Sequence, residues 1–195
     1  MSVTTRAQFL RRAGGGGLAL VAGGSVLSLA QGSALAATSS GDVAIAKLAA
    51  TAELLAIDFY TKAIASKQIK GSELSYLGGA LGNEQAHLAA LKGVLGSATP
   101  TGLTFKYPAG AFASRHSIGA LGQALETAFV GAYMGAVGAL QSNALKSVAA
   151  EIGACESRHL SVLTNIAANS IVPAPNLPEV LTAAQATKAV TPFIA

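Results

Sequence analysis

Two short segments constrain the fold of this chain more than any other feature. Residues 84–87 read Glu-Gln-Ala-His and residues 156–159 read Glu-Ser-Arg-His. On an α-helix this spacing places the Glu and the His as neighbours on one face, ~60° apart around the axis. A lone glutamate precedes each segment within an apolar stretch, Glu53 before the first and Glu126 before the second. Burying such a glutamate is costly unless it is paired or bound to metal, so these positions need a common explanation.

Turn residues and apolar spacing divide the chain into helices. Four long helices are predicted, over about residues 43–66, 72–96, 117–140 and 144–169. Short turns at 68–71 and 141–143 close two hairpins, and a long connection over 97–116 joins them, as in an all-α four-helix bundle with one crossover. An amphipathic stretch over 179–190 predicts a short C-terminal helix. The helix caps are assigned to Asp42, Ser72 and Ser117.

The positions of the glutamates agree with this hairpin assignment. Each predicted turn lies midway between the two glutamates of its hairpin, so each glutamate is about 15 residues, or ~22 Å, from its turn. Residues equally far from the turn of an antiparallel hairpin lie at one height, which predicts four carboxylates at one level. An internal repeat supports the pairing, because Tyr60 and Tyr133 each follow a lone glutamate by two helical turns.

Four glutamates and two histidines in this order are the ligand set of a dinuclear metal site in a helical bundle. Mixed carboxylate and imidazole ligands suit iron or manganese. The sequence therefore predicts a site for two metal ions, Fe or Mn. The candidate ligands are Glu53, Glu84, His87, Glu126, Glu156 and His159.

Composition narrows the functional classes. The chain is 11% charged and 51% hydrophobic, but no uncharged apolar stretch of ~20 residues follows residue 40, so this part is not expected to span a membrane. Three of the 13 basic residues lie in the first twelve positions, and the other ten face nine acidic residues. This near-neutral balance gives no excess of positive charge with which to bind nucleic acid. Cys155 is the only cysteine, which excludes an internal disulfide, and we expect a buried, inert thiol.

The N-terminal residues have the features of an export signal. Three arginines precede a Gly-rich, mildly apolar run, and residues 34–36 read Ala-Leu-Ala, a pattern typical of a cleavage site. The residues around Arg6 resemble the twin-arginine export motif, except that Ala7 stands where the second arginine belongs. We expect export to the periplasm, the cell envelope or the medium; a retained N-terminal membrane anchor is the alternative. The expected organisation is a signal over 1–36, a linker over 37–41, the bundle over 42–170 and a tail over 171–195.

Several stretches resemble the ferritin-like superfamily, which includes bacterioferritins, rubrerythrins and manganese catalases, and above all its exported bacterial ferritin-like domain proteins. The resemblance covers roughly residues 42–194. It rests on Leu-Glu-Thr-Ala at 125–128 followed by Ala-Tyr at 132–133, on Glu-x-x-His-Leu at 156–160, and on Thr-Pro-Phe-Ile at 191–194.

The resemblance implies a ferritin-like bundle and a role for each candidate ligand. Each lone glutamate would bind one metal, the glutamate of each Glu-x-x-His segment would bridge both metals, and each histidine would supply one nitrogen. Tyr60 and Tyr133 would lie next to the ligands as hydrogen-bond donors or electron sources.

Three functions stay open at this point. The first is a redox metalloprotein that reacts with O2 or peroxide, as an oxidase, peroxidase or catalase. The second is a non-enzymatic protein of the cell envelope with a structural or vestigial metal site. The third is iron storage, which the small number of acidic residues disfavours. The partners expected are metal ions and O2 or peroxide, and a homodimer is possible.

Overall fold

The computed structural model describes residues 38–170 and 178–195, which contain five α-helices. They are α1 (Ser40–Ala65), α2 (Gly71–Leu95), α3 (Arg115–Ala139), α4 (Asn143–Ala168) and α5 (Ala183–Val190). This confirms the prediction of an all-α bundle with four long helices and a short C-terminal one. The predicted signal over 1–36 and the start of the tail, 171–177, lie outside the described residues. Among the helices described, none is long and apolar enough to cross a membrane.

Contacts at the helix ends define the topology. Arg115, which begins α3, forms a bidentate ion pair with Glu73 in the first turn of α2, with N–O distances of 2.6 and 2.9 Å. The same guanidinium donates to the carbonyl of Ile166, near the end of α4, at 2.8 Å. Helices α2 and α3 therefore begin at the end of the bundle where α4 ends. The connection between α2 and α3 must return along the bundle's length, as predicted for residues 97–116.

The start of α1 differs from the prediction in a way that stabilises the other hairpin. Ser39, not Asp42, is the N-cap, because its hydroxyl accepts from the amide of Asp42 at 3.1 Å. Asp42 lies in the first turn and is buried. Its two carboxylate oxygens accept from the amides of Gln141 and Ser142 at 2.8 and 3.0 Å. One carboxylate thus ties α1 to the turn between α3 and α4.

Two other predicted caps are also displaced. Helix α2 begins at Gly71 without a side-chain cap, so Ser72 does not serve as one. Helix α3 is capped by Ser114, and Ser117 completes the capping box from the third helical position. His116, assigned to the connection, lies in the first turn of α3, and its Nδ1 is 2.8 Å from the carbonyl oxygen of Ala167. Each difference is a few residues, which is the usual uncertainty of a helix end assigned from sequence.

Among the residues that the structure describes, one apolar cluster lies on each side of the predicted site. Phe59, Ile118 and Leu163 belong to the larger cluster, towards the end that contains Arg115. Leu88 and Leu91 belong to a smaller cluster between α1 and α2, towards the opposite end. The four predicted carboxylates are thereby held between two apolar layers.

The C-terminal segment packs against the bundle. The amide of Leu181 donates to the carbonyl of Gly131 on α3 at 3.0 Å. At Gly135, one turn further along α3, an added Cβ would lie 1.8 Å from the carbonyl oxygen of Leu181. The final residues pair with the connection between α2 and α3, where Ala195 donates to the carbonyl of Thr104 at 3.0 Å. The predicted tail therefore contacts the chain's own helices.

Candidate metal centre

Each long helix contributes one glutamate to a single cluster in the middle of the bundle. The four are Glu53 on α1, Glu84 on α2, Glu126 on α3 and Glu156 on α4. His87 and His159 extend from α2 and α4 into the same cluster. The side chains form two groups of four whose facing atoms all lie within 4.8 Å of one another: Glu53, Glu84, His87 and Glu156 in one, and Glu84, Glu126, Glu156 and His159 in the other. All six predicted ligands are brought together, and two glutamates belong to both groups.

In the first group, carboxylates surround one imidazole nitrogen. Nδ1 of His87 lies 3.1 Å from Glu156 Oε1, 3.2 Å from Glu84 Oε2 and 3.3 Å from Glu53 Oε2. A ring nitrogen has one proton or one lone pair, so it can serve only one of these oxygens. The geometry is that of atoms from α1, α2 and α4 converging on a common point.

The second group repeats this arrangement. Nδ1 of His159 lies 2.8 Å from Glu84 Oε1, 3.0 Å from Glu156 Oε2 and 3.8 Å from Glu126 Oε1. Glu84 and Glu156 thus present one oxygen to each histidine. This is the arrangement expected of two carboxylates that lie between two cations.

One oxygen of every glutamate in the cluster lacks a hydrogen-bond partner. These buried atoms are Glu53 Oε2, Glu84 Oε1, Glu126 Oε2 and Glu156 Oε1. Three of them lie near a histidine nitrogen, but that nitrogen hydrogen-bonds to the glutamate of its own Glu-x-x-His segment. An unpaired buried carboxylate oxygen is expensive. The donor set therefore fits metal binding, because cations would satisfy all four oxygens at once.

Burial sets the electrostatics of the cluster. The four glutamates and His159 are at most 2% exposed. Burial raises the pKa of Glu53 and of Glu126 well above the usual range. Burial acts in the same direction on Glu84, but the adjacent imidazoles of His159 and His87 outweigh it and lower the pKa of Glu84 to about 2. Four carboxylates so close together cannot all be ionised unless positive charge is added.

Two buried tyrosines connect the hairpins at the cluster. The hydroxyl of Tyr60 on α1 donates to Oε1 of Glu126 on α3 at 2.6 Å. In the reverse direction, Tyr133 on α3 donates to Oε1 of Glu53 on α1. Burial and the adjacent carboxylates raise the pKa of both tyrosines, so both remain donors. Each tyrosine contacts the glutamate of the other hairpin, although the sequence repeat associates it with the glutamate of its own helix.

Asn83 is a site residue that sequence reasoning missed. Its Nδ2 lies 3.2 Å from Nε2 of His159, on the side of the ring that faces away from the carboxylates. The ring of Tyr76 packs edge-on against the same imidazole, with centroids 6.0 Å apart. Both residues lie on α2 and His159 lies on α4, so no spacing within one helix could have indicated the contact.

Cys155 lies closer to the cluster than expected. Its predicted burial is confirmed, but its Sγ lies 3.7 Å from Nε2 of His159 and accepts from Nη2 of Arg158 at 2.9 Å. Burial raises the pKa of this thiol, yet hydrogen bonds with His159, His87 and Arg158 outweigh burial and lower it to about 6. The spacing of Cys155 and His159, four residues on one helix, could have indicated the contact.

A comparison with protein families agrees with this geometry. The sequence model of a family described as "Ferritin-like domain" matches residues 41–169. That range contains all six residues of the cluster and both tyrosines. A search of curated proteins finds no match.

Proposed function

We propose, from the premise that the chain belongs to the ferritin-like domain family, that it is a redox metalloprotein with two iron or manganese ions between its four helices. One observation carries this proposal: two four-residue groups, each with one histidine, share Glu84 and Glu156. A purely structural cluster of buried carboxylates has no need of two such groups with unpaired oxygens directed inward. A pair of bridged cations accounts for both features.

The orientation of the carboxylates indicates how each would bind. Tyr133 occupies Oε1 of Glu53, and Tyr60 occupies Oε1 of Glu126, so each of these glutamates has only Oε2 free. We infer that each of these two glutamates would hold one of the ions. Glu84 and Glu156, which present one oxygen to each histidine, would bridge the two ions.

The cluster suits chemistry with a small oxidant. Iron or manganese bound there would supply the electrons that reduce O2 or peroxide. The bundle keeps bulk water away from the carboxylates, and the side chain of His87, 12% exposed, is the most accessible of the six residues. The tyrosine hydroxyls hold protons within hydrogen-bond reach of Glu53 and Glu126. Oxidase, peroxidase and catalase activities all fit this environment.

The proposal is tested with the full chain loaded with Fe(II) or Mn(II). We expect loaded protein to consume O2 or hydrogen peroxide, and Glu84→Ala to lose most of the bound metal and that activity. The matched control is Glu151→Ala, because Glu151 is exposed on the surface of α4. This variant should change neither the bound metal nor the activity. If fully loaded protein consumes neither oxidant, the redox proposal is wrong.

The same variant distinguishes the envelope-scaffold function. If the cluster is only structural, Glu84→Ala should change only the free energy of unfolding, because it removes a carboxylate that His87 and His159 contact. It should then also keep whatever role the protein has in the cell. Loss of metal together with loss of activity favours the redox function.

We also propose that the chain acts outside the cytoplasm. The support is sequence alone: early arginines, a Gly-rich apolar run and Ala-Leu-Ala at 34–36. Cell fractionation with N-terminal sequencing tests this, and we expect exported protein that begins at Ala37. Full-length chain in the cytoplasm would contradict export, and full-length chain in the membrane would indicate a retained anchor.

A further inference from the structure

A cavity of about 300 Å³ lies beside the carboxylate cluster, between α1, α3 and the C-terminal segment. Leu48 and Ala52 line it from α1, Ala132 and Tyr133 from α3, and Leu181 and Ala186 from the C-terminal part. Tyr133 is common to the two sites, because it lines the cavity and its hydroxyl donates to Glu53. The cavity is therefore distinct from the metal centre but shares one residue with it.

The wall of this cavity is almost entirely apolar. None of the lining residues within 38–170 and 178–195 has a charged side chain. Its two side-chain hydroxyls already have partners, since Tyr133 donates to Glu53 and the hydroxyl of Thr182 bonds to Gln185 in the cap of α5. A ligand would find no counter-charge and no free side-chain hydroxyl, so the chemistry selects a neutral, apolar molecule.

The outer wall is fixed by close backbone contacts. Leu181 is hydrogen-bonded to Gly131, and its carbonyl lies where any side chain at Gly135 would be. Two glycines one helical turn apart thus let the C-terminal segment lie directly on α3. The cavity is a consequence of this docking, because the segment spans the groove between α1 and α3 while small alanines leave space beneath it.

The size of the cavity limits the ligand. An engineered cavity of about 150 Å³ lined by apolar side chains stays dry and binds benzene. A volume of about 300 Å³ therefore accommodates two fused rings or an aliphatic chain of similar size. We propose that the cavity binds one neutral apolar molecule the size of naphthalene against the ring of Tyr133. This site does not depend on bound metal.

Equilibrium dialysis of the full chain against naphthalene tests the proposal, with metal excluded by a chelator. We expect one naphthalene per chain. The anionic analogue 2-naphthoate should bind about tenfold more weakly or worse, because its charge would have to be buried without a partner. No saturable binding of naphthalene, or equal binding of 2-naphthoate, would overturn the proposal. The first outcome would also be seen if a segment of the chain itself filled the cavity.

Two variants on α3 locate the bound molecule. Ala132→Leu fills part of the cavity and should weaken naphthalene binding about tenfold or more, since the added atoms occupy the ligand's volume. Ala124→Leu adds the same atoms to the exposed face of α3 and should leave binding unchanged. If Ala132→Leu does not fold, Ala136→Val makes a smaller change in the same wall. Unchanged binding in the folded cavity variant would overturn the assignment.

Discussion

His159 has polar partners at both nitrogens of its ring. Its Nδ1 faces the carboxylates, and its Nε2 faces Asn83 at 3.2 Å. When Nδ1 of a histidine binds a metal, Nε2 has the proton and needs an acceptor. The Asn83 amide can supply its oxygen by rotating about its last bond. We therefore regard Asn83 as a positioning residue for His159.

Substitution of Asn83 tests this role. Asn83→Ala removes the nearer of the two groups that face Nε2, the other being Cys155 Sγ at 3.7 Å. It should lower metal affinity about 10–100-fold, whereas Asn83→Asp keeps an acceptor and should lose less. The measurement is a competitive metal titration against a chelator of known affinity, with folding checked by circular dichroism. An affinity of Asn83→Ala equal to that of the wild type would show that His159 needs no such support.

Residue-scale prediction from the sequence succeeded for the two Glu-x-x-His segments, where geometry within one helix decides the outcome. The three-residue spacing of Glu156 and His159 was enough to place both on one face. It failed for contacts between helices: the donation from Tyr60 to Glu126 depends on how α1 packs against α3, and the Asn83 contact depends on α2 and α4. Such contacts depend on which helix faces stack together, which no spacing within a helix specifies.

At the scale of the elements, Asp42 links α1 to the turn of the second hairpin. Hydrogen bonds from the amides of Gln141 and Ser142 hold the pKa of this carboxyl below its usual range. A carboxylate with a lowered folded-state pKa adds stability above its unfolded pKa, and this is lost as the pH falls through the folded-state pKa. The link should therefore be strongest near neutral pH.

We expect Asp42→Asn to melt at a lower temperature than the wild type at pH 7, because an amide has a single acceptor oxygen for two donors. The difference in melting temperature should shrink as the pH is lowered below about 4. Glu151→Gln makes the same carboxyl-to-amide change on the exposed face of α4 and should have little effect at either pH. A difference that is constant across this pH range would mean that the charge of Asp42 is not what matters.

Gly135 allows a second test at this scale, of how closely the C-terminal segment docks on α3. Gly135→Ala places a Cβ on the carbonyl of Leu181, so the C-terminal segment must move, at a cost of about 1–3 kcal/mol. Gly138 lies one turn away with no atom within 4 Å of an added Cβ. Gly138→Ala should be neutral or stabilising by up to ~1 kcal/mol.

Thermal melting and limited proteolysis of the tail compare these two variants. We expect a lower melting temperature and earlier cleavage near residue 181 only for Gly135→Ala. Equal behaviour of both variants would contradict the close docking of the tail on α3. The sequence predicted a short C-terminal helix but not where it docks. Its position depends on Gly131 and Gly135 of α3, and glycines add nothing to the hydrophobic periodicity from which helices are predicted.

At the scale of the whole molecule, the fold brings four of the chain's few charged side chains together in its interior. The chain is 11% charged, yet four glutamates meet in the bundle interior between two apolar layers. Such a cluster opposes folding unless protons or cations neutralise it. Two bound cations would remove this penalty and fasten all four helices together. The central claim is therefore that the bundle is completed by two metal ions.

The metal content of the full chain tests this claim most directly. Native mass spectrometry with elemental analysis, after loading with Fe(II) or Mn(II) and removal of loosely bound ions, should find about two ions per chain. Glu53→Ala, which removes a residue of only one group, should retain about one. The account would be contradicted if the wild-type chain bound fewer than one ion. It would also be contradicted if the Glu53→Ala variant still bound two ions as tightly as the wild type.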